Sequence, residues 1–171
     1  MILYLDTSAL VKLYVREVGS VRVRNWLKRA TAAATSVVAY AEARAAFARL
    51  HREGHTTERR HHERVAQLNA DWEAAMRVEL TATVLRLAGG IAETYALRGF
   101  DSIHLASALS LRDRSDMPFA FAVFDQRLRD GAARAERLGR TARTVRRART
   151  ARAVLDPYQL NQKNGSPLSR G

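Results

Sequence analysis

A chain of 171 residues, of which 47% are hydrophobic and none is cysteine, is long enough for one compact domain and excludes a disulfide framework or thiolate metal site. The formal net charge of +12 favours a polyanionic partner such as nucleic acid, although a well-solvated basic surface would give the same charge. No apolar run reaches the roughly 18 residues of a membrane span and the N-terminus lacks a secretory signal, so we expect a cytoplasmic protein with no membrane partner.

The first half of the chain predicts one strand followed by four helices. An apolar run over 2–5 has the length of a strand, and the DTS that follows it offers helix N-caps. Apolar residues at helical spacing predict helices over 9–17, 19–30, 34–54 and 56–76.

The second half predicts strands and helices in alternation. The expected elements are a strand over 76–80, a helix over 81–97, a helix over 101–114 capped by Asp101, a strand over 117–125 and a helix over 126–139. Strands interleaved with helices indicate an α/β domain with a parallel sheet.

The composition changes near Gly139. Six arginines and no acid lie between Arg140 and Arg152, and a polar segment rich in Gly and Pro follows. We therefore assign 1–138 to the folded domain and 139–171 to an Arg-rich, polar tail, in which ARAVL (151–155) is only a weak strand candidate.

Four carboxylates lie at positions where they could bind a ligand or a metal ion. Asp6 and Asp125 each directly follow an apolar strand, and ligands of parallel α/β sheets bind outside the carboxyl ends of the strands. Asp101 starts a helix after a turn, and Glu42 lies in an Ala-rich helix. If the four converge, their charges require a cation, and oxygen ligands suit Mg²⁺ or Mn²⁺. Taken singly, however, Asp6 and Asp101 equally suit helix caps, Glu42 a solvated position and Asp125 a turn.

Four blocks of the sequence together resemble the PIN domain, and specifically the VapC-type toxins. They are LDTSALVKLYVREVGS, TSVVAYAEARAAFARL, RGFDSIHLASAL and FAVFDQRLRDGAARAERLG, in that order and within residues 1–138. The resemblance implies a three-layer domain with a central parallel sheet flanked by helices. It also implies a metal-dependent endoribonuclease that a cognate antitoxin holds inactive.

The resemblance also assigns roles to individual residues. The acidic quartet of the family corresponds to Asp6, Glu42, Asp101 and Asp125, as ligands of Mg²⁺ or Mn²⁺. Its hydroxyl position corresponds to Thr7, with Ser8 adjacent, and we expect Thr7 to orient a carboxylate or a metal-bound water. His104, three residues after Asp101, is expected to pack or to lie at the surface rather than to join the site.

The leading hypothesis is therefore hydrolysis of RNA phosphodiester bonds by a metal held on the quartet. The alternatives are a DNA-directed nuclease and a catalytically silent nucleic-acid-binding or scaffolding protein of PIN fold. The helix faces that carry Tyr14 and Trp26 are candidates for dimerisation or antitoxin binding, and we expect a homodimer.

Overall fold

The computed structural model describes residues 1–143 and 152–155, which form a five-stranded sheet with helices on both faces. The strands are β1 Ile2–Leu5, β2 Ala32–Ser36, β3 Met76–Val78, β4 Phe119–Ala122 and β5 Arg152–Leu155. The helices are α1 Thr7–Leu10, α2 Ser20–Arg29, α3 Val38–Arg52, α4 Glu58–Ala74, α5 Ala82–Tyr95, α6 Gly99–Asp113 and α7 Gln126–Arg143, with a 3-10 turn, Val11–Leu13, after α1.

The strands are parallel and lie in the order β3-β2-β1-β4-β5, which puts β1 at the centre. All four residues of β1 are buried, as expected for a parallel strand covered on both faces. Ile2 and Tyr4 join an apolar cluster with α5, α6 and α7, whereas Leu3 and Leu5 join a second cluster with helices α1 to α4. The predicted three-layer α/β fold, with a central parallel sheet between helices, is confirmed.

Strand β2 was not predicted, because the sequence reading assigned its last three residues to the helix over 34–54. Its sequence, AAATS, has little of the β-branched and aromatic character typical of strands. Burial and pairing with β1 and β3 stabilise it instead, and the Thr35 hydroxyl donates to the carbonyl of Leu5 over 2.7 Å.

The boundary predicted after residue 138 falls inside helix α7, which continues to Arg143. The weak strand candidate of the tail is strand β5, which pairs in parallel with β4 from Phe119 to Ala122. The rest of the Arg-rich run and the polar end, 144–151 and 156–171, lie outside the described residues.

Among the helices that the structure describes, none is both long enough and apolar enough to cross a membrane.

Candidate active site

The candidate site lies at the carboxyl edge of the sheet, beside its central strand. Strand β1 pairs with β2 on one side and with β4 on the other, so chain connections leave it in opposite directions. Such a topological switch point opens a crevice at the strand ends, where α/β proteins bind ligands. Asp6 directly follows β1, and Asp125 follows β4 by three residues, so both lie at this edge.

Asp6 is buried, with 3% of its surface exposed, and acts as the N-cap of α1. Its carboxylate accepts hydrogen bonds from the backbone N–H of Ala9 at 2.8 Å and from the hydroxyl of Ser8 at 2.7 Å. Burial raises the pKa of Asp6 to about 6, while the nearby imidazole of His104 and the hydrogen bonds from Ser8 and Ala9 limit the rise. The N-cap role and a functional role are therefore compatible, since the carboxylate has both local donors and a perturbed pKa.

Ser8 connects Asp6 to the end of strand β4. Its hydroxyl donates to Asp6 and accepts from the backbone N–H of Phe124 at 2.9 Å and of Asp125 at 3.3 Å. One side chain thus fixes two segments that are 116 residues apart in sequence. From the sequence, Ser8 was placed among the DTS N-cap candidates and next to Thr7, and no contact with the end of β4 was predicted for it.

Asp125 and Asp101 lie at the N-terminal ends of two different helices. The Asp125 carboxylate accepts from the backbone N–H of Leu128 at 2.9 Å and so caps α7. Asp101 was predicted to cap its helix, but α6 already begins at Gly99 with Arg98 as N-cap, and Asp101 lies in the first turn. Partial burial and, after it, the negative charge of Asp125 raise the pKa of Asp101.

Glu42 projects from α3 and is held by two side chains from other helices. The hydroxyl of Thr7 donates to its Oε2 atom over 2.5 Å, and Nε2 of His104 lies 2.8 Å from the same oxygen. Burial alone would raise the pKa of Glu42, but the hydrogen bonds from His104 and Thr7 outweigh it and lower the pKa. Glu42 is therefore held as a carboxylate.

His104 is the contact that sequence reasoning missed. It is buried, as a packed residue would be, but its ring reaches Glu42 and Thr7 rather than lying apart from the site. The available signal was its spacing, because residues three apart on a helix share a face, and Asp101 is three residues earlier.

The potential metal ligands of the site are of the kind that a hard divalent cation prefers. The quartet offers only carboxylate oxygens, and the mutual repulsion of Asp101 and Asp125 would be relieved by a positive ion. Within the described residues, however, no group of three or more His, Asp and Glu side chains is already arranged to hold one. The carboxylates therefore have the ligand atoms and the charge that a divalent cation requires, but in the described residues they are not already arranged around one position.

Comparison with known proteins gives consistent results. The PIN domain family model matches residues 3–134. Ribonuclease VapC45 and ribonuclease VapC49, from two strains of Mycobacterium tuberculosis, are each 44% identical to this chain over 135 residues, covering 77% of it and 89% of their own length.

Two solved structures are similar in fold. FitAcB from Neisseria gonorrhoeae matches with a TM-score of 0.55 and 21% identity, over 78% of this chain and 94% of its own. A toxin-antitoxin complex from Klebsiella pneumoniae matches with a TM-score of 0.54 and 14% identity, over 72% of this chain and 86% of that one.

Proposed function

Because this chain belongs to the PIN-domain family, we propose that it is a metal-dependent endoribonuclease, the toxin of a toxin-antitoxin pair. The observation that carries the proposal is the 44% identity to two curated ribonucleases over 89% of their length. The positions of Asp6 and Asp125 after strands β1 and β4 support it, since parallel α/β proteins bind their ligands at such strand ends.

Asp6, Glu42, Asp101 and Asp125 would hold Mg²⁺, with Mn²⁺ as a substitute, because both ions prefer carboxylate oxygens. When bound, the cation supplies Lewis-acid chemistry for hydrolysis of the phosphodiester. The hydrogen bonds from His104 and Thr7 lower the pKa of Glu42 and so favour its ionised form, and Thr7 restrains it through Oε2. Ser8 holds Asp6 at a fixed position relative to the backbone of Asp125.

The proposal includes an RNA substrate, a cognate antitoxin and a homodimer in the cytoplasm. The antitoxin is favoured because one solved structure of similar fold, from Klebsiella pneumoniae, is a toxin-antitoxin complex. Apolar surface for a protein partner is present at the start of α2, where Val18 is 87% and Val21 is 71% exposed. Of the two aromatic residues proposed for such a face, Trp26 is buried and packs against Phe124.

The test is cleavage of a total RNA pool by the full chain in Mg²⁺, Mn²⁺, Ca²⁺ or EDTA, with the new ends mapped. We expect cleavage in Mg²⁺ and Mn²⁺, little in Ca²⁺ and none in EDTA, because the ligand set is hard and Ca²⁺ coordination is looser. Asp6→Asn should abolish cleavage, since it removes a charged ligand while keeping the shape of the side chain. Asp116→Asn, at an exposed carboxylate outside the site, is the matched control.

Undiminished cleavage in EDTA, or Mg²⁺-dependent cleavage by the purified Asp6→Asn protein, would contradict the metal mechanism. Cleavage of single-stranded DNA but not of RNA would reassign the substrate.

A further inference from the structure

The side chain of His104 is 3% exposed, and both of its ring nitrogens contact polar atoms of other elements. Nε2 lies 2.8 Å from Oε2 of Glu42 and 3.0 Å from Oγ1 of Thr7. Nδ1 lies 3.3 Å from the hydroxyl of Tyr4 on the central strand. The ring therefore links α6 to β1, α1 and α3 at the edge that carries the candidate site.

The contacts of Thr7 determine which ring nitrogen carries the proton. The hydroxyl has a single proton and donates it to Oε2 of Glu42, so in the contact with His104 the Thr7 oxygen must accept and Nε2 must donate. The Glu42 carboxylate also accepts, and one Nε2–H is therefore shared between two oxygens. In the neutral ring Nδ1 is then an acceptor, and the hydroxyl of Tyr4 is the donor that faces it.

These contacts hold only one of the two carboxylate oxygens of Glu42. Both of its hydrogen bonds to residues in 1–143 and 152–155 are made by Oε2, which leaves Oε1 without a donor from that part of the chain. The Glu42 side chain keeps 26% of its surface exposed. One oxygen is thus anchored, and the other is available to a ligand in the crevice.

We propose that His104 is a positioning residue, whose Nε2–H anchors Oε2 of Glu42 so that Oε1 is presented to a divalent cation in the crevice. The inference rests on the proposed function, because it treats Glu42 as a cation ligand. Side chains that orient a metal ligand in this way typically change metal affinity or activity by about 10–100-fold when they are replaced.

The test compares His104→Leu with His104→Gln in the full-length protein. Leucine keeps the approximate volume and removes both nitrogens, whereas the side-chain amide of glutamine can place an N–H near the position of Nε2–H. We expect His104→Leu to weaken Mn²⁺ binding, measured by calorimetry, and to lower kcat, each by about 10–100-fold, with KM for RNA little changed. His104→Gln should recover most of both losses. Ser110→Ala, which removes a half-buried hydroxyl from the same helix, is the control and should keep the wild-type values.

A folded His104→Leu protein that binds Mn²⁺ and cleaves RNA like the wild type would overturn the proposal. So would equal losses in the leucine and glutamine variants, because the effect would then not depend on a donor at this position. If His104→Leu does not fold, ¹⁵N NMR of the wild-type imidazole decides, with the spectrum of His104→Gln identifying the signal: a proton on Nε2 supports the anchoring, and a proton on Nδ1 alone overturns it. A wild-type protein that binds Mn²⁺ but cleaves no RNA would refute the proposed function alone, since the affinity and tautomer measurements would still test His104.

Discussion

Asp6→Asn should change how the stability of the metal-free protein depends on pH. Burial raises the pKa of Asp6 from its ordinary 3.8 to about 6, so the folded state binds this proton more tightly than the unfolded state. The resulting contribution to stability is complete below about pH 4 and is lost as the pH rises through about 6. At about 1.4 kcal/mol for each tenfold change in proton affinity, the full loss is about 3 kcal/mol.

Because asparagine cannot ionise, position 6 of the variant does not lose stability as the pH rises. The substitution does, however, lower the free energy of unfolding by an amount that is the same at every pH. Ser8 and Ala9 both donate to Asp6, and the amide nitrogen of asparagine would face donors rather than an acceptor. An unsatisfied buried polar group costs about 1–3 kcal/mol at any pH. The free energy of unfolding of the variant minus that of the wild type should therefore rise by about 2–3 kcal/mol from pH 4 to pH 8. This rise is expected whether the variant is more or less stable than the wild type at pH 4.

Urea unfolding in EDTA at pH 4, 5, 6, 7 and 8 measures this gain, with Asp116→Asn as the control for loss of one carboxylate. The control should follow the wild-type pH profile, because Asp116 is exposed. Parallel profiles for Asp6→Asn and wild type would refute the reasoning, since they would show that Asp6 has the same pKa in the folded and unfolded states.

Two further predictions concern the packing and electrostatics of the same edge. Gly19→Ala should destabilise the protein by about 2 kcal/mol or more in urea unfolding, because φ is +94° and a Cβ would overlap the ring of Phe124. Gly89→Ala, in an open helical position, should instead stabilise it by up to about 1 kcal/mol, and a loss at both sites would show that glycine conformation is not the cause. Asp125→Asn should lower the pKa of Asp101 in a ¹³C NMR titration, because the charge of Asp125 adds to the effect of burial. An unchanged titration would leave burial as the whole cause.

The sequence predicted the fold well where local pattern and tertiary environment agree. Strands β1 and β4 are apolar runs in a doubly covered sheet, and both were recognised as strands. Strand β2 was missed because AAATS has weak intrinsic preference for a strand, and only pairing with β1 and β3 stabilises it there. Strand β5 was predicted only weakly for a related reason, since it is a short edge strand whose paired residues in β4 are 33 positions earlier in the sequence, as for Phe119 and Arg152.

The candidate site was predictable to the extent that strand ends can be read from sequence. Asp6 and Asp125 follow apolar strands, and the parallel topology then brings them to one edge. The spacing of His104 from Asp101 indicates only that the two share a helix face. The individual partners of Ser8 and His104 were not predictable, because they depend on how α1, α3 and α6 pack around β1. A hydroxyl or an imidazole in the sequence carries no sign of which distant donor or acceptor it will meet.

The same packing explains why two carboxylates of one site have opposite pKa shifts. Asp6 is almost completely buried, and its hydrogen bonds do not compensate for the loss of water, so its pKa rises to about 6. Glu42 is only partly buried and has Thr7 and His104 on one oxygen, so its pKa falls. The lowered pKa favours the ionised form of Glu42 over a wide pH range, whereas the raised pKa of Asp6 makes the charge of Asp6 sensitive to pH near 6. A divalent cation near Asp6 would lower its pKa and restore the ionised form, so cation binding and proton release from Asp6 should be coupled.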